Sequence, residues 1–167
     1  MPVLAPSTRM QRDLAGKGDY WSFTGHQRRQ HAHGLLSYPA MMIPEMMGEM
    51  LRRLRIYDRS ISMVYDPFVG SGTVLVESML RGLDFYGTDI NPLAVLACRV
   101  KAGPYNAKSV AAAVAQLLKV QAIDHRIAMP EFPGRAKWFG DEVSRALATI
   151  AHSVRRLTAV EVRRVLW

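Results

Sequence analysis

The chain has 167 residues, a formal net charge of +8 and a sequence pI of about 10.1, with 49% hydrophobic and 22% charged residues. That suits one soluble domain with a core of useful size. The single cysteine, Cys98, excludes an internal disulfide framework and a cysteine-rich zinc site, and no run of about 18 apolar residues is present to form a membrane span.

Residues 1–32 read as a polar N-terminal arm containing Gly16 and Gly18. Its first stretch, MPVLAPSTRMQRD, lacks the apolar core of a signal peptide, so a cytoplasmic location is expected. Aromatics, histidines and arginines then follow without a period, which predicts loop or short elements. From Pro44 a helix is predicted, because Ile43, Met46, Met47, Met50, Leu51 and Leu54 recur at helical spacing. Proline at the first helical position gives up an N–H that has no helical partner anyway. The methionine stripe is read as core. SISMVYD (60–66) is a predicted strand, residues 73–81 a helix stopped by Gly82, and LDFYGTD (83–89) a second strand. Asn91-Pro92 caps a helix running to about Val100. Ala107 to Ile123 is a further helix, HRIAMPEFPGRAKWFG a connector, and Asp141 the cap of a helix carrying Val143, Leu147, Ile150, Val154 and Leu157 on one face. Thr158 and Glu161 form a T-x-x-E capping-box pattern ahead of VRRVLW. The last helix has no C-terminal stop signal, and the sequence reads as truncated there.

The central question is what the glycine-rich stretch DPFVGSGT (66–73) holds. A strand, a glycine turn and a helix together allow close backbone approach to a ligand, and Asp89 at the end of the second strand can accept both ribose hydroxyls of an adenosine. A nucleoside triphosphate would need G-x-x-x-x-G-K-[ST], and no lysine follows Gly70 or Gly72. A dinucleotide would need a small residue at the third glycine position, where Leu75 stands and would hold helix and strand apart. S-adenosylmethionine has no pyrophosphate. It needs a tight turn, met by Gly70 and Gly72 leading into Thr73, and two acids, met by Asp66 and Asp89. Phe68 and Ile90 would pack on its apolar faces. S-adenosyl-L-methionine is therefore the expected cofactor.

These residues resemble the class I S-adenosylmethionine-dependent methyltransferases, and more narrowly the DNA amino-methyltransferases that make N4-methylcytosine or N6-methyladenine. HGLLSYPAMMIPEMM (33–47) is similar to the family segment lining the methionine end of the cofactor, which implies a binding role for Tyr38 and Pro39. DPFVGSGT matches the first cofactor motif. GTDINPLAVLACRVK (87–101) is similar to the ribose-acid strand and the helix after it, with Asp89, Ile90 and Asn91 at the cofactor. KWFGDEVSRALATI (137–150) looks like a downstream W-F-x-x-x-V-x-x-x-L helix. The resemblance implies an α/β, Rossmann-like class I methyltransferase fold, truncated after its first strands, with residues 33–167 as a partial cofactor-binding domain. A tRNA guanine-N2 methyltransferase shares a similar turn, but roughly sixty residues ahead of it are too few for that family's RNA-binding domain. An inactive cofactor- or nucleic-acid-binding subunit is the non-enzyme alternative.

Two departures stand out. Met41-Met42 replace the family's Lys-Phe. The family's catalytic [DNS]-P-P-[YFW] motif is missing, since no Pro-Pro pair occurs in the 167 residues. That motif accepts hydrogen bonds from an exocyclic amine and stacks an aromatic on the flipped base, aligning the lone pair with the methyl donor. No catalytic residue is therefore assigned, and a second polypeptide carrying the motif is an expected partner. Arg28-Arg29, Arg52-Arg53 with Arg55, Arg155-Arg156 and Arg163-Arg164 point to DNA, with RNA second, against the plainer reading of solvated helix faces. Cys98 sits among Leu96, Ala97 and Val100 and is read as core rather than nucleophile. His26, His31 and His33 lack cysteine or acid neighbours in sequence, so no metal site is assigned. Asp13 and Asp19 are read as solvated.

Overall fold

The computed structural model describes residues 8–9, 11–12, 15, 19, 21–23, 25, 30–36, 38–39, 41–119 and 123–166. Much of the N-terminal arm, including Asp13, Gly16, Gly18, His26 and Arg28-Arg29, lies outside the described residues, as do Ala40, residues 120–122 and Trp167. The chain forms two compact units, Met1–Ala102 and Gly103–Trp167.

In the first unit a short 3-10 helix, His31–Leu35, precedes helix α1 (Pro44–Tyr57), strand β1 (Met63–Asp66), helix α2 (Thr73–Met79), strand β2 (Asp84–Gly87) and helix α3 (Pro92–Ala102). The two strands pair in parallel, with Met63 opposite Asp84 and Asp66 opposite Gly87. Parallel neighbours need a crossover, and α2 supplies it. This is an α/β arrangement, as expected. Both strands are shorter than the predicted 60–66 and 83–89, because only four residues of each share the ladder.

The core forms where α1, α2 and β2 meet. Met47 and Leu51 of α1 are buried with Val69, Val74, Leu75, Val76 and Leu83. Each aliphatic side chain fully buried there contributes about 1.5–3 kcal/mol. Of the predicted methionine stripe, Met47 is core, while Met46 and Met50 are half-buried. Helix α2 is buried from Thr73 to Ser78, then ends in a turn where Gly82 takes φ +62°. Gly87 packs tightly: a Cβ there would collide with the Val69 side chain and the Phe85 ring. The opposite sheet face leaves Met63, Tyr65 and Tyr86 exposed, and the two tyrosine rings stack at 5.7 Å.

A buried ionic cluster ties the 3-10 helix to α2. His33, 1% exposed, donates from Nε2 to Glu77 Oε1 at 3.0 Å. Arg81 donates to Glu77 Oε2 at 2.5 Å and to the Glu77 carbonyl at 2.9 Å. A carboxylate held out of water is tolerable only while such partners remain.

The second unit contains helices α4 (Ala107–Leu118), α5 (Arg135–Trp138), α6 (Asp141–Arg155) and α7 (Val160–Leu166). Asn106 caps α4 by accepting from the Ser109 N–H at 3.1 Å. Several expectations are corrected here. The connector contains the short helix α5, so the predicted W-F helix is two helices broken at Phe139-Gly140. Gly140, not Asp141, is the N-cap of α6, and Asp141 accepts from Arg135 at 3.0 Å. The apolar face predicted for α6 is mostly outward: Val143, Leu147 and Ile150 are exposed, while Ser144, Ala148, Thr149 and Val154 are buried. Hydrogen bonds turn the helix that way. Arg135 donates to Ser144 Oγ, and the Asp124 N–H donates to Thr149 Oγ1. At the last helix, Thr158 stays in a bend, and the Ala159 carbonyl receives the first helical bond, from Arg163 N–H.

Replacing Glu77 by Ala would strand His33 and Arg81 against an emptied site. We expect a loss of about 3–5 kcal/mol, read by urea denaturation, whereas breaking the exposed Arg126–Asp124 pair by Arg126→Ala should leave the urea midpoint nearly unchanged.

Candidate cofactor site

The site is built on the turn that leaves β1. Asp66, the last residue of β1, accepts the Phe68 N–H on Oδ1 at 2.9 Å. Its carbonyl accepts from the Thr88 N–H, and the Val69 N–H donates to the Thr88 carbonyl, both at 3.0 Å. The pairing between strands therefore continues past the ladder into the turn. Gly70 and Gly72 take φ +48° and +76°, a region that costs glycine little and other residues more. Gly72 also faces Cys98: a Cβ there would lie 2.9 Å from the Cys98 Sγ. Both glycines are thus required by backbone geometry, and Gly72 by packing as well.

Asp89 links the two strand ends. Its Oδ2 accepts the Gly70 N–H and its Oδ1 accepts the Asn91 N–H, each at 2.8 Å. Those hydrogen bonds, to Asn91 first and Gly70 next, hold the Asp89 carboxyl below its ordinary pKa. Asn91 in turn caps α3, accepting the Leu93 N–H at 3.0 Å, and its side-chain amide donates to the Tyr38 hydroxyl at 2.9 Å. Tyr38 also lies beside Gly70, 3.8 Å from where a Cβ would sit. Tyr38, Gly70, Asp89 and Asn91 are therefore one connected group, though they come from three separate stretches of sequence. Asp66, Phe68, Gly72 and Thr73 belong to the same turn. Pro39, next to Tyr38, is exposed. Phe68 is 84% exposed and Ile90 fully exposed, so neither packs on the protein. A carboxylate oxygen with one backbone donor keeps a second lone pair, so Asp89 can still accept a hydroxyl from a ligand.

The 30% identical relative, over 155 residues, is the type II methyltransferase M.MvaI of Kocuria varians. A second, 36% identical over 81 residues, is the type II methyltransferase M.MjaII of Methanocaldococcus jannaschii. The chain's homologues are type II DNA methyltransferases. The alignments cover 87% and 48% of this chain but 34% and 14% of the two relatives, so the chain spans about a third or less of their length. No family model matches the sequence. No solved structure matches it.

Three residues not singled out as site residues also belong to the hydrogen-bond network of the turn. Lys101 is buried and donates from Nζ to the Ser71 carbonyl at 2.6 Å, bracing the glycine turn from α3. Burial lowers its pKa. Thr88 Oγ1 donates to the Pro67 carbonyl at 3.1 Å. Ser71 Oγ and Thr73 Oγ1 lie 3.1 Å apart. Cys98 and Lys101 stand three residues apart on one helical face, the one signal in the sequence that both meet the turn. Burial raises the Cys98 pKa, which suits a packed thiol and not a thiolate nucleophile. No group of three metal-ligating side chains occurs among the described residues.

The depressed Asp89 pKa has a definite sign. A carboxylate held lower in the folded chain stabilises it above the ordinary carboxyl value of about 3.9, and that contribution is lost as pH falls through the lower folded value. Acid titration followed by NMR should place the Asp89 midpoint below that ordinary value, and Asp89→Asn should remove this part of the acid dependence.

Proposed function

We propose that this chain is the S-adenosylmethionine-binding part of a DNA amino-methyltransferase of the N4-cytosine or N6-adenine type, built on a Rossmann-like class I methyltransferase fold. The observation that carries this reading is the Asp89 carboxylate joining the Gly70 and Asn91 backbone amides. It sets a ribose-binding acid beside a glycine turn, at the carboxyl ends of two parallel strands, where α/β sheets bind ligands. The DNA methyltransferase homologues support the substrate class.

In this reading Gly70 and Gly72 let the backbone approach the methionine part, Asp66 faces the amine and Asp89 accepts the ribose hydroxyls. Thr73 opens the helix behind the turn. Tyr38 and Pro39 line the methionine end, and Asn91 holds Tyr38. Phe68 and Ile90, exposed at the rim, pack on the apolar faces of the ligand. The cofactor supplies an electrophilic methyl group; the chain's own residues bind and orient it. Nothing in the 167 residues grips the acceptor amine, because the Pro-Pro motif is missing. That motif is supplied either by a further stretch of the same polypeptide or by a second one. The chain works on DNA away from membranes, and among the described residues no helix is long and apolar enough to cross one.

Calorimetry tests the cofactor half. Asp89→Ala should weaken S-adenosylmethionine binding by roughly tenfold or more, the scale of losing a hydrogen bond to a charged group. Tight binding of NAD without binding of S-adenosylmethionine would overturn the assignment. A labelled-methyl assay tests the catalytic half. Residues 1–167 alone should transfer no methyl group to unmethylated DNA, and transfer should appear when a polypeptide carrying the Pro-Pro motif is added.

A further inference from the structure

A cleft of about 650 Å³ is lined by Arg52, Arg55, Ile56, Arg59 and Arg81. Its place in the fold separates it from the glycine turn. Arg52, Arg55 and Ile56 lie in the second half of α1, and Arg59 is in the loop that enters β1 at Met63. Arg81 lies in the turn that enters β2 at Asp84. The cleft therefore sits where the chain enters the strands, whereas the glycine turn leaves β1 at its carboxyl end.

The charge in the cleft is only partly balanced. Glu49 pairs with Arg52, and also with Arg53 outside the cleft, while Glu77 holds Arg81. Arg55 donates to the Arg81 carbonyl at 3.1 Å, which fixes its position without neutralising it. Among the described residues neither Arg55 nor Arg59 meets a carboxylate. Several fixed guanidinium groups around one opening, with a single apolar residue, suit an anion with several oxygens better than an apolar peptide.

We infer that this cleft binds the phosphate backbone of duplex DNA, as a contact separate from the cofactor end of the sheet. The inference rests on the DNA-methyltransferase reading, which selects duplex DNA among polyanions. Such a contact adds affinity and orientation and carries no sequence information of its own. The cleft thereby divides the labour of the first unit: one end of the strands for the methyl donor, the other for the DNA backbone.

The test is duplex binding by fluorescence anisotropy across a salt series, using the full chain. Arg55→Gln with Arg59→Gln should flatten the slope of log affinity against log salt by about two, roughly one per lost phosphate contact. Arg59→Gln alone, which disturbs no described contact, should flatten it by about one. The pair Lys108→Gln with Lys119→Gln removes the same charge elsewhere, at exposed positions outside the arginine clusters, and should change the slope by less than half as much as the cleft pair. Equal effects from both pairs, or an unchanged slope in the cleft variants, would overturn the inference. So would inorganic phosphate that binds the wild type and not the cleft variant while leaving DNA binding unchanged at matched ionic strength, since that marks a small-anion site. Calorimetry with S-adenosylmethionine on the same proteins reads the cofactor assignment separately, and the cleft variants should bind it as the wild type does.

Discussion

The Asp89 carboxylate is the constraint on which the site depends. Two backbone amides from different segments, Gly70 N–H and Asn91 N–H, converge on its two oxygens. Through them the exit of β1, the exit of β2 and the start of α3 are fixed to one another. Without a carboxylate at that point the glycine turn would have donors to satisfy and nothing fixed to satisfy them, and backbone groups left unpaired are costly. The same bonds that close the turn hold the Asp89 carboxyl below its ordinary pKa, so the requirements of folding and, in the proposed reading, of ligand recognition coincide at one side chain.

Around that clasp the support is layered. Lys101 braces the turn from α3 through the Ser71 carbonyl, and Thr88 reaches the Pro67 carbonyl across the strand ends. Tyr38 is tied in through Asn91. Farther back, His33, Glu77 and Arg81 lock the 3-10 helix against α2, which anchors the segment that leads to Tyr38. Each bond is modest on its own, about 0.5–1.5 kcal/mol net when neutral and more when charged. Their value is that they share atoms and segments, so the turn has few ways to relax.

The second unit behaves differently. Its longest helix, α6, leaves Val143, Leu147 and Ile150 exposed and buries Ser144, Ala148 and Thr149. Small side chains permit close approach, and Arg135 and Asp124 hold that face with hydrogen bonds. Hydrophobic periodicity is therefore a poor guide to orientation wherever polar bonds to a neighbouring segment compete with it. In the first unit the sheet likewise keeps Met63, Tyr65 and Tyr86 exposed on one face.

The sequence by itself determined most of the elements and the place of the turn. Pro44 and the methionine spacing placed α1, the glycines of DPFVGSGT placed the turn, Gly82 ended α2, and Asn91-Pro92 opened α3. Those are local rules: proline fixes φ, glycine permits positive φ, and asparagine caps through its own side chain. Tertiary structure alone decided which distant groups meet. No local rule brings Tyr38 to Asn91, Lys101 to Ser71, His33 to Glu77, or four arginines to one cleft, because those pairings follow from how helices pack on two short strands. Tertiary contacts also set strand length and the orientation of α6. A strand lasts only while it has a partner to bond, and a helix turns toward whichever neighbour satisfies its polar groups.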